Sequence, residues 1–180
     1  MKRLTVVILY LCIAYMAAMP SLIIDQQVEY TKFRKHYDWL TFPVFSCAVM
    51  EANRYSNVTV DNVLAIIHHE TLHVHAWKKA SVRSYSGAIG YMQIMPLHAK
   101  YYGIKVHDLT VMEINIKVGT NIYANYKKMY GNNDKKAIMA YNAGPYSDFT
   151  KYNNDWYLYG ILEYAKATGA DNTYNYARYL

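Results

Sequence analysis

The sequence is poor in the residues that staple or kink a chain. Cysteine occurs twice, proline four times and glycine eight times in 180 residues. Cys12 lies inside an apolar N-terminal run, which leaves Cys47 alone in the rest of the chain, so a disulfide scaffold is excluded. A lone cysteine ahead of a helical pattern reads as a small buried hydrophobe. Sustained apolar–polar alternation is missing as well, which argues against a sandwich or barrel and for an all-α domain. Acidic residues are scarce: 13 stand against 19 lysines and arginines, a formal net charge of +6. A basic surface suits an anionic partner. The cations are spread along the chain instead of forming one stripe, which argues against a nucleic-acid site.

What is abundant is tyrosine, with 21 residues, several of them in polar surroundings (Tyr152, Tyr157, Tyr159, Tyr174, Tyr176). An amphipathic ring in such a place either serves a carbohydrate or protein surface or covers a helical core from outside. The chain begins Met1-Lys2-Arg3 and runs apolar from Leu4 to Met19, closing on Pro20-Ser21. A basic start before an apolar run reads as an export signal. Counting Leu22-Ile23-Ile24 brings the run close to the ~20 residues of a membrane span. Residues 1–24 are therefore expected to be a signal peptide or a membrane anchor, an apolar helix on an exported protein of the periplasm or cell envelope. Residues 25–44 read as a linker or peripheral helix, and residues 45–180 as one folded domain with one core.

Within that domain, Phe45, Val49 and Ala52 predict a helix that stops at Tyr55-Ser56-Asn57. A second helix starts near Asp61 and carries Val63, Leu64, Ile66 and Ile67. Gly87-Ala88-Ile89-Gly90 reads as a turn, followed by a short helix over Met92–Tyr101 that is interrupted near Pro96. Ile114, Val118 and Ile122 recur every four residues and predict a long helix. Another spans residues 134–141 and ends at Asn142-Ala143-Gly144-Pro145.

The residue most telling of chemistry is Glu70. At about 100° per residue, Val63, Ile66 and Ile67 lie within roughly 60° of it around the helix, so the carboxylate emerges from the apolar stripe. Lost hydration should raise its pKa, as a general acid for glycosidic cleavage requires. A stripe-edge glutamate whose head reaches water is the plainer alternative. No other acid lies between Asp61 and Asp108. Retaining and inverting glycosidases need a second carboxylate at ~5–5.5 Å or ~6.5–9.5 Å. Only distant residues (Asp108, Glu113, Asp148, Glu163) can supply one; otherwise the sugar must provide its own nucleophile.

Several segments then resemble one family, the soluble lytic transglycosylase domain. They are Leu64-Ala65-Ile66-Ile67-His68-His69-Glu70-Thr71, Gly87-Ala88-Ile89-Gly90-Tyr91-Met92-Gln93-Ile94-Met95-Pro96, Asn115-Ile116-Lys117-Val118-Gly119 and Ala140-Tyr141-Asn142-Ala143-Gly144-Pro145. Thr173-Tyr174-Asn175-Tyr176 is similar to the family's closing Thr-x-x-Tyr element, and Phe45 to Tyr55 resembles small members that serve secretion, conjugation or phage assemblies. The resemblance implies a lysozyme-like fold and cleavage of peptidoglycan glycan strands between N-acetylmuramic acid and N-acetylglucosamine, without metal or cofactor. Glu70 takes the place of the acid and base, giving a 1,6-anhydro product. Thr71, Met92, Gln93, Tyr141, Asn142 and Tyr176 take places at the substrate. Departures from the pattern are Thr71 for serine, Leu72 for glycine, Tyr91 for leucine, Glu113 for a second cysteine and Asn172 for glutamate.

Three other readings compete. A goose-type muramidase shares the fold and the glutamate but uses water. His69-Glu70-Thr71-Leu72-His73 also spells H-E-x-x-H, the zinc-protease signature, with His68 and His75 close by. The extended form of that signature needs Gly and a third His where Ala76 and Lys79 stand. The last reading is an inactive wall-binding assembly module.

Overall fold

The computed structural model describes residues 27–71, 74, 78–149 and 155–167. Regular structure among them is helical apart from isolated antiparallel bridges, Arg83 with Ile89 and Ile89 with Ile94. The all-α expectation therefore holds. None of the described helices is long and apolar enough to cross a membrane. The expected apolar helix at residues 1–24 lies outside the described residues.

The first described helix, α1, runs over residues 27–34. Phe33 on α1, and Tyr37 and Leu40 between α1 and the next helix, are all buried in the common core. Helix α2 (Phe42–Ala52) begins three residues earlier than the apolar spacing indicates, because Pro43 suits the first helical turn, where its missing N–H is not needed. Cys47 is buried in α2, and burial, with the charges of Glu51 and Glu113, pushes its thiol up to about 12. It is inert packing.

Helix α3 (Val60–Glu70) starts at Thr59, whose side chain accepts from Asn62 N at 3.2 Å. Every residue from Val60 to His68 is buried. The helix is therefore not an amphipathic stripe on a surface. It runs through the core, which overrides the modest helix propensity of Val60, Val63, Ile66 and Ile67.

A loop and helix α4 (Pro96–Tyr101) follow, then a 3-10 turn over Val106–Thr110. The expected helix over Met92–Tyr101 forms only from Pro96; Met92 to Met95 is a turn instead. Its reason is backbone geometry: Gly90 and Gln93 take positive φ, 80° and 47°, which a continuous helix forbids.

Helix α5 (Met112–Met129) is about 27 Å long and packs on α2 and on α6 (Asp134–Ala143). Asn133 caps α6 by accepting from Lys136 N at 3.0 Å, and the helix ends at Gly144 with φ 91°. Asn142 is thus inside the last turn of α6, not its stop. Helix α7 (Asp155–Ala167) lies against α3 and α6. Sequence periodicity did not single it out, yet it closes the site.

Candidate active site

Glu70 is the last residue of α3, and Thr71 leaves helical geometry with φ −128° and ψ 28°. A carboxylate at this point stands where the buried helix meets the surface, and Glu70 is partly exposed. Tyr157 of α7, itself buried, donates its hydroxyl to Glu70 Oε1 at 2.5 Å. Burial raises the carboxyl to about 7, and the Tyr157 hydrogen bond opposes that rise. Burial wins, because one donor replaces less than the water shell that is lost. No other carboxylate among the described residues contributes to the shift. Asp108 instead accepts from Lys105 N at 2.9 Å, and Glu113 and Glu163 are exposed.

The floor of the site is the loop from Gly87 to Met95, pinned by α5. Buried Asn115 accepts from Met92 N at 2.8 Å and donates to the carbonyls of Ile89 and Leu109, both at 2.8 Å. Gly90 has to be glycine here: it sits at positive φ, and a Cβ would fall 2.7 Å from Asn115 Cγ. Met92 enters the gap left by Gly119, where a Cβ would meet the Met92 Cβ at 2.7 Å. Tyr141 of α6 then donates to Met92 O at 2.8 Å. Its own hydroxyl is held well above the ordinary tyrosine pKa by burial and by the nearby Glu70 charge.

These contacts bring Glu70, Met92, Gln93 and Tyr141 into one region from three separate parts of the chain. Gln93 is half-buried, with its Nε2 donating to Gly90 O at 2.8 Å in the positive-φ turn. Strain of that kind concentrates at ligand sites. Asn142 is exposed beside Tyr141. Met92 and Thr71 are buried, at 0% and 1% exposure, so neither reaches a ligand with its side chain; Thr71 Oγ1 donates to Ile67 O at 2.6 Å. Both side chains support the site from behind. Tyr176 lies outside the described residues. Tyr157, whose polar neighbours left it open between a binding surface and a cover for the helical core, is the aromatic that meets the acid. Its clue was the apolar spacing of Tyr157, Leu158 and Ile161, all buried on α7.

The histidine string acquires a different meaning. Helix α3 ends at Glu70, and His69 and Glu70 are its last two residues. His73 and His75 lie outside the described residues. His69 instead packs on α7, 5.0 Å from Trp156 and 4.7 Å from Tyr157 between ring centroids. Gly160 makes the room, since a Cβ there would lie 2.6 Å from His69 Cε1. Burial lowers the His69 pKa, favouring a neutral ring. His68 accepts from Trp39 Nε1 at 2.7 Å and is pushed down to about 4 by burial and by the Lys79 charge.

A family model, the transglycosylase SLT domain, matches residues 47–158. Among solved structures, the chain superposes on an inactive Glu-to-Gln mutant of the lytic transglycosylase Slt from Pseudomonas aeruginosa. The TM-score is 0.57 at 23% identity, over 69% of this chain and 23% of that one. The 70 kDa soluble lytic transglycosylase of Escherichia coli matches with TM-score 0.46 and 27% identity, over 66% of this chain and 21% of that one. The chain spans less than a quarter of the length of either enzyme. The Pseudomonas match shows a shared fold.

Proposed function

Because this chain belongs to the transglycosylase SLT domain family, we propose that it cleaves the β-1,4 bond between N-acetylmuramic acid and N-acetylglucosamine in peptidoglycan. The observation that carries this reading is the Glu70 carboxyl: desolvated, raised to about 7, and without a second acid among the described residues contributing to its shift. A protonated carboxyl gives its proton to the leaving glycosidic oxygen as the C–O bond breaks. The resulting carboxylate then takes the proton of the muramoyl 6-hydroxyl, whose oxygen closes on the anomeric carbon. The products are a 1,6-anhydro end and a free N-acetylglucosamine hydroxyl, and Glu70 regains its proton. A single group suffices because the nucleophile belongs to the substrate, whereas hydrolysis through two carboxylates needs a second one at fixed distance.

Tyr157 supports the charged half of this cycle, since a hydrogen bond donated to Glu70 is stronger when the carboxyl is ionised. Gln93 and Asn142 are the polar side chains best placed to meet acetamido groups, and Tyr141 fixes the floor through Met92 O. The inactive mutant that the Pseudomonas structure describes is a Glu-to-Gln exchange, in line with a glutamate carrying the chemistry here. The place of action is the cell envelope, with residues 1–24 as export leader or anchor.

The test is digestion of purified peptidoglycan by the full chain in the presence of EDTA, with soluble products identified by mass spectrometry. Anhydromuropeptides from the wild type and none from Glu70→Gln are expected. Absence of any glycan product, or activity that EDTA abolishes, would overturn the reading.

A further inference from the structure

Lys79 stands among the largest fully buried side chains, with 1% exposure. Among the described residues it forms no ion pair. Burial lowers its pKa to about 8, and the charge of Asp38, not in contact, only partly offsets that, so other groups must replace the ammonium's hydration. Here they do, and both hydrogen bonds land on one residue: Nζ donates to Thr71 O at 2.6 Å and to Thr71 Oγ1 at 2.8 Å. The face of Trp39 closes the remaining side, 4.8 Å from Nζ to the ring centroid.

Thr71 is the residue after Glu70. Its hydroxyl donates to Ile67 O at 2.6 Å, so the relay from Lys79 through Thr71 to Ile67 spans the last turn of α3. Trp39 adds a second tether by donating Nε1 to His68 Nδ1 at 2.7 Å. The final turn of a helix is where fraying starts, because its carbonyls lack intrahelical donors, and a cation there is favoured by the helix dipole. Glu70 is held from both sides of its own position, at 67–68 and at 71. The charge of Lys79 does not contribute to the Glu70 titration, which responds to burial and to Tyr157. The lysine therefore acts through geometry.

We propose that Lys79 is a positioning residue for Glu70: clamped on Thr71 and covered by Trp39, its ammonium locks the last turn of α3 and aims the carboxyl. Proton transfer needs donor and acceptor placed to within a fraction of an ångström, which a frayed terminal turn cannot provide. The inference rests on the reading of Glu70 as acid and base.

The experiment compares the full chain with Lys79→Met, Thr71→Val, Thr71→Ser and the Lys79→Met/Thr71→Val double variant. Two quantities are read: kcat and KM on purified peptidoglycan per folded molecule, and the Glu70 carboxyl titration by carbon NMR. Lys79→Met is expected to lower kcat by about 10- to 100-fold with KM nearly unchanged. It should also move the Glu70 titration away from about 7, toward the ordinary carboxylate range. Thr71→Val should do the same, Thr71→Ser should retain wild-type behaviour, and the double variant should be no worse than either single one. Unchanged kcat and titration in folded Lys79→Met overturn the proposal, as does additivity in the double variant. Where Lys79→Met fails to fold, the Thr71→Val and Thr71→Ser pair decides by the same readouts. A wild type that releases no glycan would sink the proposed activity alone, and the Glu70 titrations would still decide the role of Lys79.

Discussion

The Gly87–Met95 loop and the face of α3 that meets α7 border Glu70 from two directions, and their buried polar groups are treated differently. In the loop, Asn115 joins Met92 N, Ile89 O and Leu109 O, and Tyr141 takes Met92 O. On the α7 side, both ring nitrogens of His69 are buried without a hydrogen-bond partner among the described residues, and the largely desolvated Glu70 carboxyl is met by Tyr157. Satisfied hydrogen bonds make the loop a fixed floor. Withheld hydration makes the other wall chemically active, because a carboxyl that is poorly solvated keeps its proton. The site thus draws its rigidity and its reactivity from different neighbours.

That contrast can be broken from either side. The largest effect is expected from Glu70→Gln, which should cut glycan release by about 10²–10⁴-fold. The same variant tests the desolvation by its stability. Folded Glu70 keeps its proton up to about pH 7, whereas the unfolded residue ionises near ~4.3. Wild-type stability should therefore fall as pH rises between those values, by at most about 4 kcal/mol. Glu70→Gln should lack that fall in denaturant titrations run across the range. An equal pH slope in both proteins would refute the dry wall.

On the floor, Asn115→Ala removes three hydrogen bonds and leaves buried backbone groups unpaired. Chemical denaturation should register a loss of about 3 kcal/mol, with activity falling because Met92 no longer holds Tyr141. A smaller loss, about 1–3 kcal/mol, is expected for Gly160→Ala, whose methyl overpacks His69 and pushes α7 off the acid. If Gly160→Ala were as stable as wild type, the close seat of His69 would be wrong. The mildest change is Tyr157→Phe. Since the Tyr157 hydrogen bond lowers the Glu70 pKa, its removal should move the alkaline limb of the pH–rate profile to higher pH. A shift to lower pH would show that Tyr157 excludes water more than it donates.

Much of the fold could be read from spacing. The helices around Val49, Ile66, Ile122 and Ile138 stand where apolar periodicity puts them, because each buries a face against a neighbour. The direction of Glu70 was legible too, although the reason is broader than a stripe: α3 is buried almost all round. Local pattern could not foresee the turn at Met92–Met95, which depends on the positive φ of Gly90 and Gln93 and on Asn115 from a different helix. Nor could it join Tyr157 to Glu70, because 87 residues separate them and only the packing of α7 on α3 makes the pair. Lys79 was hidden by its type, since lysines almost never lose all contact with water. At Thr71 the sequence points to the substrate, while its hydroxyl belongs to the helix end.

The central claim is that one carboxyl is enough because the sugar supplies the nucleophile. Digestion of peptidoglycan in heavy-oxygen water, followed by mass spectrometry of the muramoyl ends, tests it most directly. Anhydro ends free of the label are predicted, with no products from Glu70→Gln. Reducing ends that carry the heavy oxygen would mean that water attacks, and would contradict the single-carboxyl account.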